Sequence, residues 1–362
     1  MSADLQLQVF HNVNDFALDD IFDCGQCFRW SKEKDGSYSG IVEGSFVNIS
    51  YTPYNTRNGG AVGIWSDLLI DSPSRRTAFW RNYLDLDRDY GAIKRLLMTE
   101  DSVMAKAIKE SPGIRILNQN KWETLVSFII SQNNNIPRIK TGIEALCEKF
   151  GNKIGVLKGK PIYAFPTLQR MKTLKESDLS SCKLGYRAKY LVEVARQVGY
   201  DGGAFLQSGE KLSTERLQEY LHNLSGVGPK VANCVMLFSM KKVEVFPIDV
   251  WVRRVMSRFY GMGEDNVSAM IDYAERNFQE YGGIAQQYLF TYIRKIQKTN
   301  PALYERLNVG ESFNSEYESD RPGSSTQREK PLSLNTNFRP KPSNTPSTPN
   351  NLNNNPNDSS ED

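Results

Sequence analysis

The chain has 362 residues, a formal net charge of +3, 39% hydrophobic and 24% charged residues, which is enough for two or three domains. Two histidines all but exclude a multi-histidine metal site or a histidine-based triad. Five cysteines (Cys24, Cys27, Cys147, Cys182, Cys234), with a lone C-x-x-C and no second pair, form neither a disulfide framework nor a zinc or iron–sulphur cluster.

The N-terminal MSADLQLQVF has no basic segment before an apolar core, and no apolar run approaches a membrane span. An intracellular protein with reduced thiols is expected. Short runs at 5–10, 27–34, 38–42, 45–51 and 61–66, with turn signals such as Lys34-Asp35-Gly36 and Asn58-Gly59-Gly60, predict an antiparallel sheet. Helices are expected over 90–98 and 102–111, lying on that sheet. Gly25-Gln26-Cys27-Phe28-Arg29-Trp30 reads as a bend glycine followed by core aromatics where the chain enters a strand.

From about residue 115 the chain turns helical. Trp122, Leu125, Val126, Ile129 and Ile130 recur at helical spacing as a buried stripe. The stripe runs into Ser131-Gln132-Asn133-Asn134-Asn135-Ile136-Pro137-Arg138, where asparagines end a helix readily because they accept the left-handed region. Leu184-Gly185-Tyr186-Arg187-Ala188-Lys189-Tyr190 opens another helix.

The segment from Leu221 to Arg254, LHNLSGVGPKVANCVMLFSMKKVEVFPIDVWVRR, organises the rest. One helix ends near Leu224, and the turn Ser225-Gly226-Val227-Gly228 follows. A second helix opens at Pro229, which suits a first helical position. Gly226 and Gly228 allow positive φ and close backbone approach. The free N–H groups of such a helix end form a site for phosphate. Lys230 stands in the first turn, where the helix dipole favours a neutral, nucleophilic amine; it reads equally as a solvated lysine or a phosphate contact. Asp249 reads as the cap of the next helix, and as a carboxylate partner to the lysine. Further on, Gln286 and Phe290 are spaced i, i+4 and share one helix face. An amide and an aromatic plate suit a planar base, although an ordinary amphipathic helix would place Phe290 in the core.

Residues 311–362 hold five Lys/Arg and eight Asp/Glu, a net of −3, so the remainder carries +6. That modest excess suits a nucleic-acid surface without proving one. The Asn/Pro/Ser-rich composition cannot bury a core, so a disordered tail is expected over 309–362. The expected class is α+β: an N-terminal antiparallel β domain with helices over 1–110, then two α-helical subdomains with a helix-hairpin-helix over 111–308.

The strings LSGVGPKVA and VFPIDVW, with GQCFRW, SQNNNIPRI, LGYRAKY and AQQYLF, resemble the helix-hairpin-helix superfamily of DNA base-excision glycosylases. Within it they are similar to the 8-oxoguanine DNA glycosylase/AP lyases, over roughly residues 8–305. The resemblance implies that Lys230 is the nucleophile and Asp249 its carboxylate partner. It implies that Gly25 offers its carbonyl to the N7–H found only on the oxidised base, that Gln286 meets the Watson–Crick edge, and that Cys234 and Phe290 sandwich the ring.

By the same match Asn133 fills the space left by the flipped base, Tyr186 wedges the base step, and Arg138 and Arg187 contact the estranged cytosine. Gly226 and Gly228 bring the hairpin to the DNA backbone. The carbonyls of His222, Leu224 and Val227 are implied to hold a monovalent cation, with no organic cofactor. The implied partner is damaged double-stranded DNA, bound by a monomer in a bacterial cytoplasm and nucleoid or a eukaryotic nucleus. Two positions depart from the family pattern: Pro137 stands where alanine is usual, and Trp251 where a histidine is common. The alternatives are a glycosylase of the same fold for alkylated or mismatched bases, or a non-catalytic helix-hairpin-helix DNA-binding module.

Overall fold

Residues 5–54, 59–70 and 72–308 are described in a computed structural model; the tail expected over 309–362 lies outside them. Strands β1 (Gln6–Val13), β2 (Trp30–Lys32), β3 (Tyr38–Val42), β4 (Ser45–Pro53) and β5 (Gly60–Ser66) form an antiparallel sheet in the order β1-β5-β4-β3-β2. Ile49 pairs with Ile64 and Phe10 with Val62, so the alternation of the sequence puts these side chains on one face. That face is closed by α1 (Leu18–Phe22) and α2 (Pro73–Tyr83) through Ile21, Phe22, Trp80 and Tyr83. The strand expected over 27–34 is shorter because residues 27–29 leave the sheet, and the Phe28 ring packs edge-on against Phe128 at 5.5 Å.

Helices α3 (Tyr90–Leu97) and α4 (Ser102–Glu110) lie where the sequence predicts them along the chain but not on the sheet. Their apolar faces, Tyr90, Ile93 and Leu97 with Met104, Ala107 and Ile108, join the helical core instead. The sheet face is already taken by α2, whose start is marked by Ser72 capping Arg75 N–H and by Pro73.

The helical part comprises α5 (Lys121–Ile130), α6 (Ile136–Phe150), a β6–β7 hairpin (Lys153–Leu157, Lys160–Tyr163), α7 (Leu168–Lys172), α8 (Arg187–Val198), α9 (Ala204–Gln207), α10 (Thr214–His222), α11 (Pro229–Ser239), α12 (Val250–Tyr260), α13 (Val267–Asn277) and α14 (Gly282–Thr299). Helices α5 and α11 form its centre: Leu125, Val126 and Ile129 meet Val235, Met236 and Phe238 in one core. Each such full burial is worth roughly 1.5–3 kcal/mol. That investment fixes α11, and with it the side chains at its first turn. All five cysteines are free and buried. Among the described residues no helix is long and apolar enough to cross a membrane.

Candidate active site

Helix α10 ends at His222 and α11 begins at Pro229 after the predicted turn. Gly226 has φ +74°, and a Cβ there would stand 2.6 Å from the Tyr190 ring, so both its conformation and its seat demand glycine. Gly228 departs from expectation. Its φ is −92°, open to any residue, and a Cβ would meet nothing within 4 Å. What its small size leaves is empty space in front of the helix end. The N–H groups of Gly228, Lys230 and Val231 find no acceptor among the described residues, and no side chain caps them. A phosphate is the natural occupant of such an end.

Lys230 is half-buried at the second position of α11, its Nζ 4.9 Å from the centre of the Phe128 ring. Cys234, one turn on, is buried; burial pushes its thiol up to about 11, while the Lys230 charge and hydrogen bond pull it down. Asp249 caps α12: Oδ1 accepts from the N–H groups of Trp251 and Val252, both at 2.9 Å. Burial holds its carboxyl above the ordinary aspartate value, opposed by the Val252 N–H, the Lys230 charge, the Trp251 N–H and Arg294. Both hydrogen bonds end on Oδ1, and the Lys230 charge acts on the same carboxyl. One residue therefore serves as cap and as charge.

Gly25 has φ +82°, and a Cβ there would lie 3.1 Å from the Phe290 ring, so the bend presses on that ring. The bend is held by Gln26, which donates to the carbonyls of Ile21 (2.9 Å) and Arg115 (2.8 Å) and accepts from Leu117 N–H (2.8 Å). The Gly25 carbonyl accepts no hydrogen bond from the described residues. On α14, Gln286 is buried and Phe290 half-buried on one face, as the spacing implies. Gln287 Nε2 donates to Gln286 Oε1 at 2.9 Å, which fixes the amide's orientation.

Asn133, Tyr186 and Arg187 come together although 53 residues separate the first pair. Asn133 is at φ +45°, and its Nδ2 reaches the Tyr186 hydroxyl at 3.3 Å. Tyr186 is 49% exposed, with the Arg187 guanidinium 4.6 Å from its ring centre. Arg187 donates to the carbonyls of Gln132 (2.9 Å), Asn133 (3.1 Å) and Leu184 (3.3 Å), so its donors are turned inward. Arg138 is exposed, and its backbone N–H is capped by Asn135 at 3.0 Å. Pro137 falls in the first turn of α6, where its missing N–H costs nothing. Trp251 carries the Arg254 guanidinium 5.0 Å from its ring centre.

Sequence reasoning missed several members of this site. Phe128 stands in the same apolar run as the predicted stripe but outside it, and nothing in the local sequence marks its ring as lying beside Lys230. Gln132 sits between named residues, yet its Nε2 donates to the Gly226 carbonyl at 2.9 Å and joins the asparagine loop to the hairpin. Arg294 was legible, being i+4 from Phe290; its guanidinium is 5.1 Å from that ring's centre.

The chain matches two family descriptions: "8-oxoguanine DNA glycosylase, N-terminal domain" over residues 8–125, and "HhH-GPD superfamily base excision DNA repair protein" over residues 126–280. It is 33% identical over 264 residues to the N-glycosylase/DNA lyase of Saccharomyces cerevisiae, covering 69% of each chain. It is 30% identical to the probable N-glycosylase/DNA lyase of Methanothermobacter thermautotrophicus, covering 58% of this chain and 72% of the relative. The fold is similar, with TM-score 0.72 and 38% identity, to the Clostridium acetobutylicum 8-oxoguanine glycosylase/lyase in complex with double-stranded DNA containing cytosine opposite 8-oxoguanine, covering 80% and 97% of the two chains. With both of its parts matched in order, the chain belongs to the 8-oxoguanine DNA glycosylase/lyase family of the HhH-GPD base excision repair superfamily.

Proposed function

We propose that the chain excises 8-oxo-7,8-dihydroguanine opposite cytosine from duplex DNA and cuts the strand through a Schiff base on Lys230. It is a DNA glycosylase with lyase activity, as its family is. The observation that carries the residue assignment is the gathering of Lys230, Cys234 and Asp249 beside the unsatisfied N–H end of α11. A plain DNA clamp has use for the helix end but not for a half-buried amine within the field of a half-buried carboxylate.

The hairpin end grips the backbone without reading sequence. Flipping costs a few kcal/mol of stacking and pairing, offset by the Tyr186 wedge and by Asn133 entering the gap. Arg138 and Arg187 offer donors to the O2 and N3 acceptors of the unpaired cytosine, Arg187 after exchanging its carbonyl partners. In the pocket the free Gly25 carbonyl accepts the N7–H of the oxidised base and repels the lone pair of guanine. Gln286 meets the Watson–Crick edge, and Cys234 and Phe290 enclose the ring.

The Lys230 lone pair attacks C1′ and the bond to N9 breaks, its electrons leaving with the base, which takes up a proton. The Asp249 carboxylate stabilises the positive charge developing on the sugar. The sugar opens as the amine loses its protons, giving a Schiff base. Removal of a C2′ proton then expels the 3′ phosphate and cuts the strand, and water releases the lysine. The carbonyls of His222 and Val227 accept no hydrogen bond from the described residues and Leu224 only that of Val227 N–H (3.1 Å), so the turn suits a monovalent cation that would stiffen it.

Borohydride added to a reaction on a duplex with one 8-oxoguanine opposite cytosine should trap the wild-type protein covalently. Lys230→Gln should bind that duplex and give no trap. Binding without a trap by the wild type would sink the lysine mechanism and move the assignment to another lesion or to a DNA-binding module.

A further inference from the structure

Helix α14 carries Gln286, Phe290 and Arg294 at every fourth residue. We propose that Arg294 is a specificity-determining positioning residue, which clamps the Phe290 plate and the Gly25 bend into one base-reading surface; the inference rests on the function proposed above. Its guanidinium lies 5.1 Å from the Phe290 ring centre, while Nη1 donates to the Asp23 carbonyl at 3.3 Å. Nη1 also stands 3.8 Å from where a Cβ on Gly25 would be. One planar group thus touches both halves of the reading surface, which come from segments more than 260 residues apart.

Among the described residues no carboxylate is in hydrogen-bond contact with this arginine, although Asp23 and Asp249 lie within its field. Three carboxylates line the same 380 Å³ groove, and all three are engaged elsewhere. Asp19 accepts from Lys32 (2.6 Å), Asp20 from Lys295 and Gly113 N–H (both 3.1 Å), and Asp19 and Asp23 share the single proton of the Tyr38 hydroxyl, at 2.9 and 3.0 Å. Arg294 spends its donor on a backbone carbonyl and its flat face on an aromatic ring, a use that lysine reproduces only in part. The geometry orders the bend and the plate before the base arrives, so the cost of arranging them is not charged to binding.

The base-reading surface matters when a base is present and is idle at an abasic site, which separates this role from a general structural one. Single-turnover rates would be measured on a duplex with 8-oxoguanine opposite cytosine and on the same duplex with a preformed abasic site. A cation–π contact at a part-buried site corresponds to about a five- to thirtyfold effect on rate. Arg294→Leu should therefore lower the ratio of base excision to abasic-strand cutting by about tenfold, and Arg294→Lys, which keeps the charge acting on Asp249 but not the planar contact, should recover only part of it, full recovery overturning the proposal. An unchanged ratio, whether both rates hold or both fall together, overturns the proposal. Wild-type protein inert on both duplexes would instead overturn the underlying function, and this inference with it.

Discussion

Asp249 shows how one side chain serves two masters. Its Oδ1 closes the start of α12, and in the proposed reaction its charge would stabilise the sugar. Asparagine caps a helix as well as aspartate does, so Asp249→Asn separates the two roles. Excision should fall by about a hundredfold or more. Because burial raises the carboxyl above its unfolded-state value, ionisation costs folding stability above that pKa, and the variant should melt no lower than wild type at neutral pH. In the proposed reaction the same shift would set the acid side of the activity profile. As pH falls, Asp249 takes up its proton sooner than an ordinary aspartate (pKa about 3.9), so excision should begin to fail above that value. Asp249→Asn should lack this limb. The capping by Asp249 was readable from Ile248-Asp249-Val250; the burial behind the shift was not, because it depends on what packs over the site.

At the scale of elements, the hairpin was the most legible part of the chain and the asparagine loop the least. The hairpin rests on local rules, a positive-φ glycine and a proline at a first helical position, and both appear where the spacing puts them. The loop's partners are distant: Gln132 joins it to Gly226, and Arg187 joins it to α8. No local signal announces such ties. The reversed placement of α3 and α4 has the same origin, since an apolar face shows that a helix packs but not against what. Gly226 tests the joint directly. Gly226→Ala adds a Cβ at 2.6 Å from the Tyr190 ring on a left-handed backbone, which should cost about 1–3 kcal/mol in thermal or denaturant melts. DNA affinity should drop as well, because Tyr190 supports Tyr186 at 5.9 Å, edge to face. Wild-type melting and affinity would mean that the turn tolerates a side chain and that the close approach is not structural.

For the molecule as a whole, the seam between sheet and helical core carries a charge whose cost depends on pH. Glu123, at the start of α5, is pushed by burial up to about 7, with Arg29 pulling down and Glu43 and Glu144 pushing up. An acid raised by folding adds its full stability below its unfolded pKa of about 4.3 and loses it as pH rises through about 7. Glu123→Gln should therefore gain on the wild type by on the order of 1–3 kcal/mol between pH 5 and pH 8 in denaturant melts. No change in the difference across that range would show the carboxyl to be solvated. The bend at Gly25 has a consequence of a different kind. In the proposed reaction the atom that tells oxidised from normal guanine is a main-chain oxygen, which no codon change can delete. Any side chain added at its own residue runs into the Phe290 ring. In that reaction selectivity for the lesion would be sheltered from mutational drift at its source, and could be retuned only by moving the walls around it.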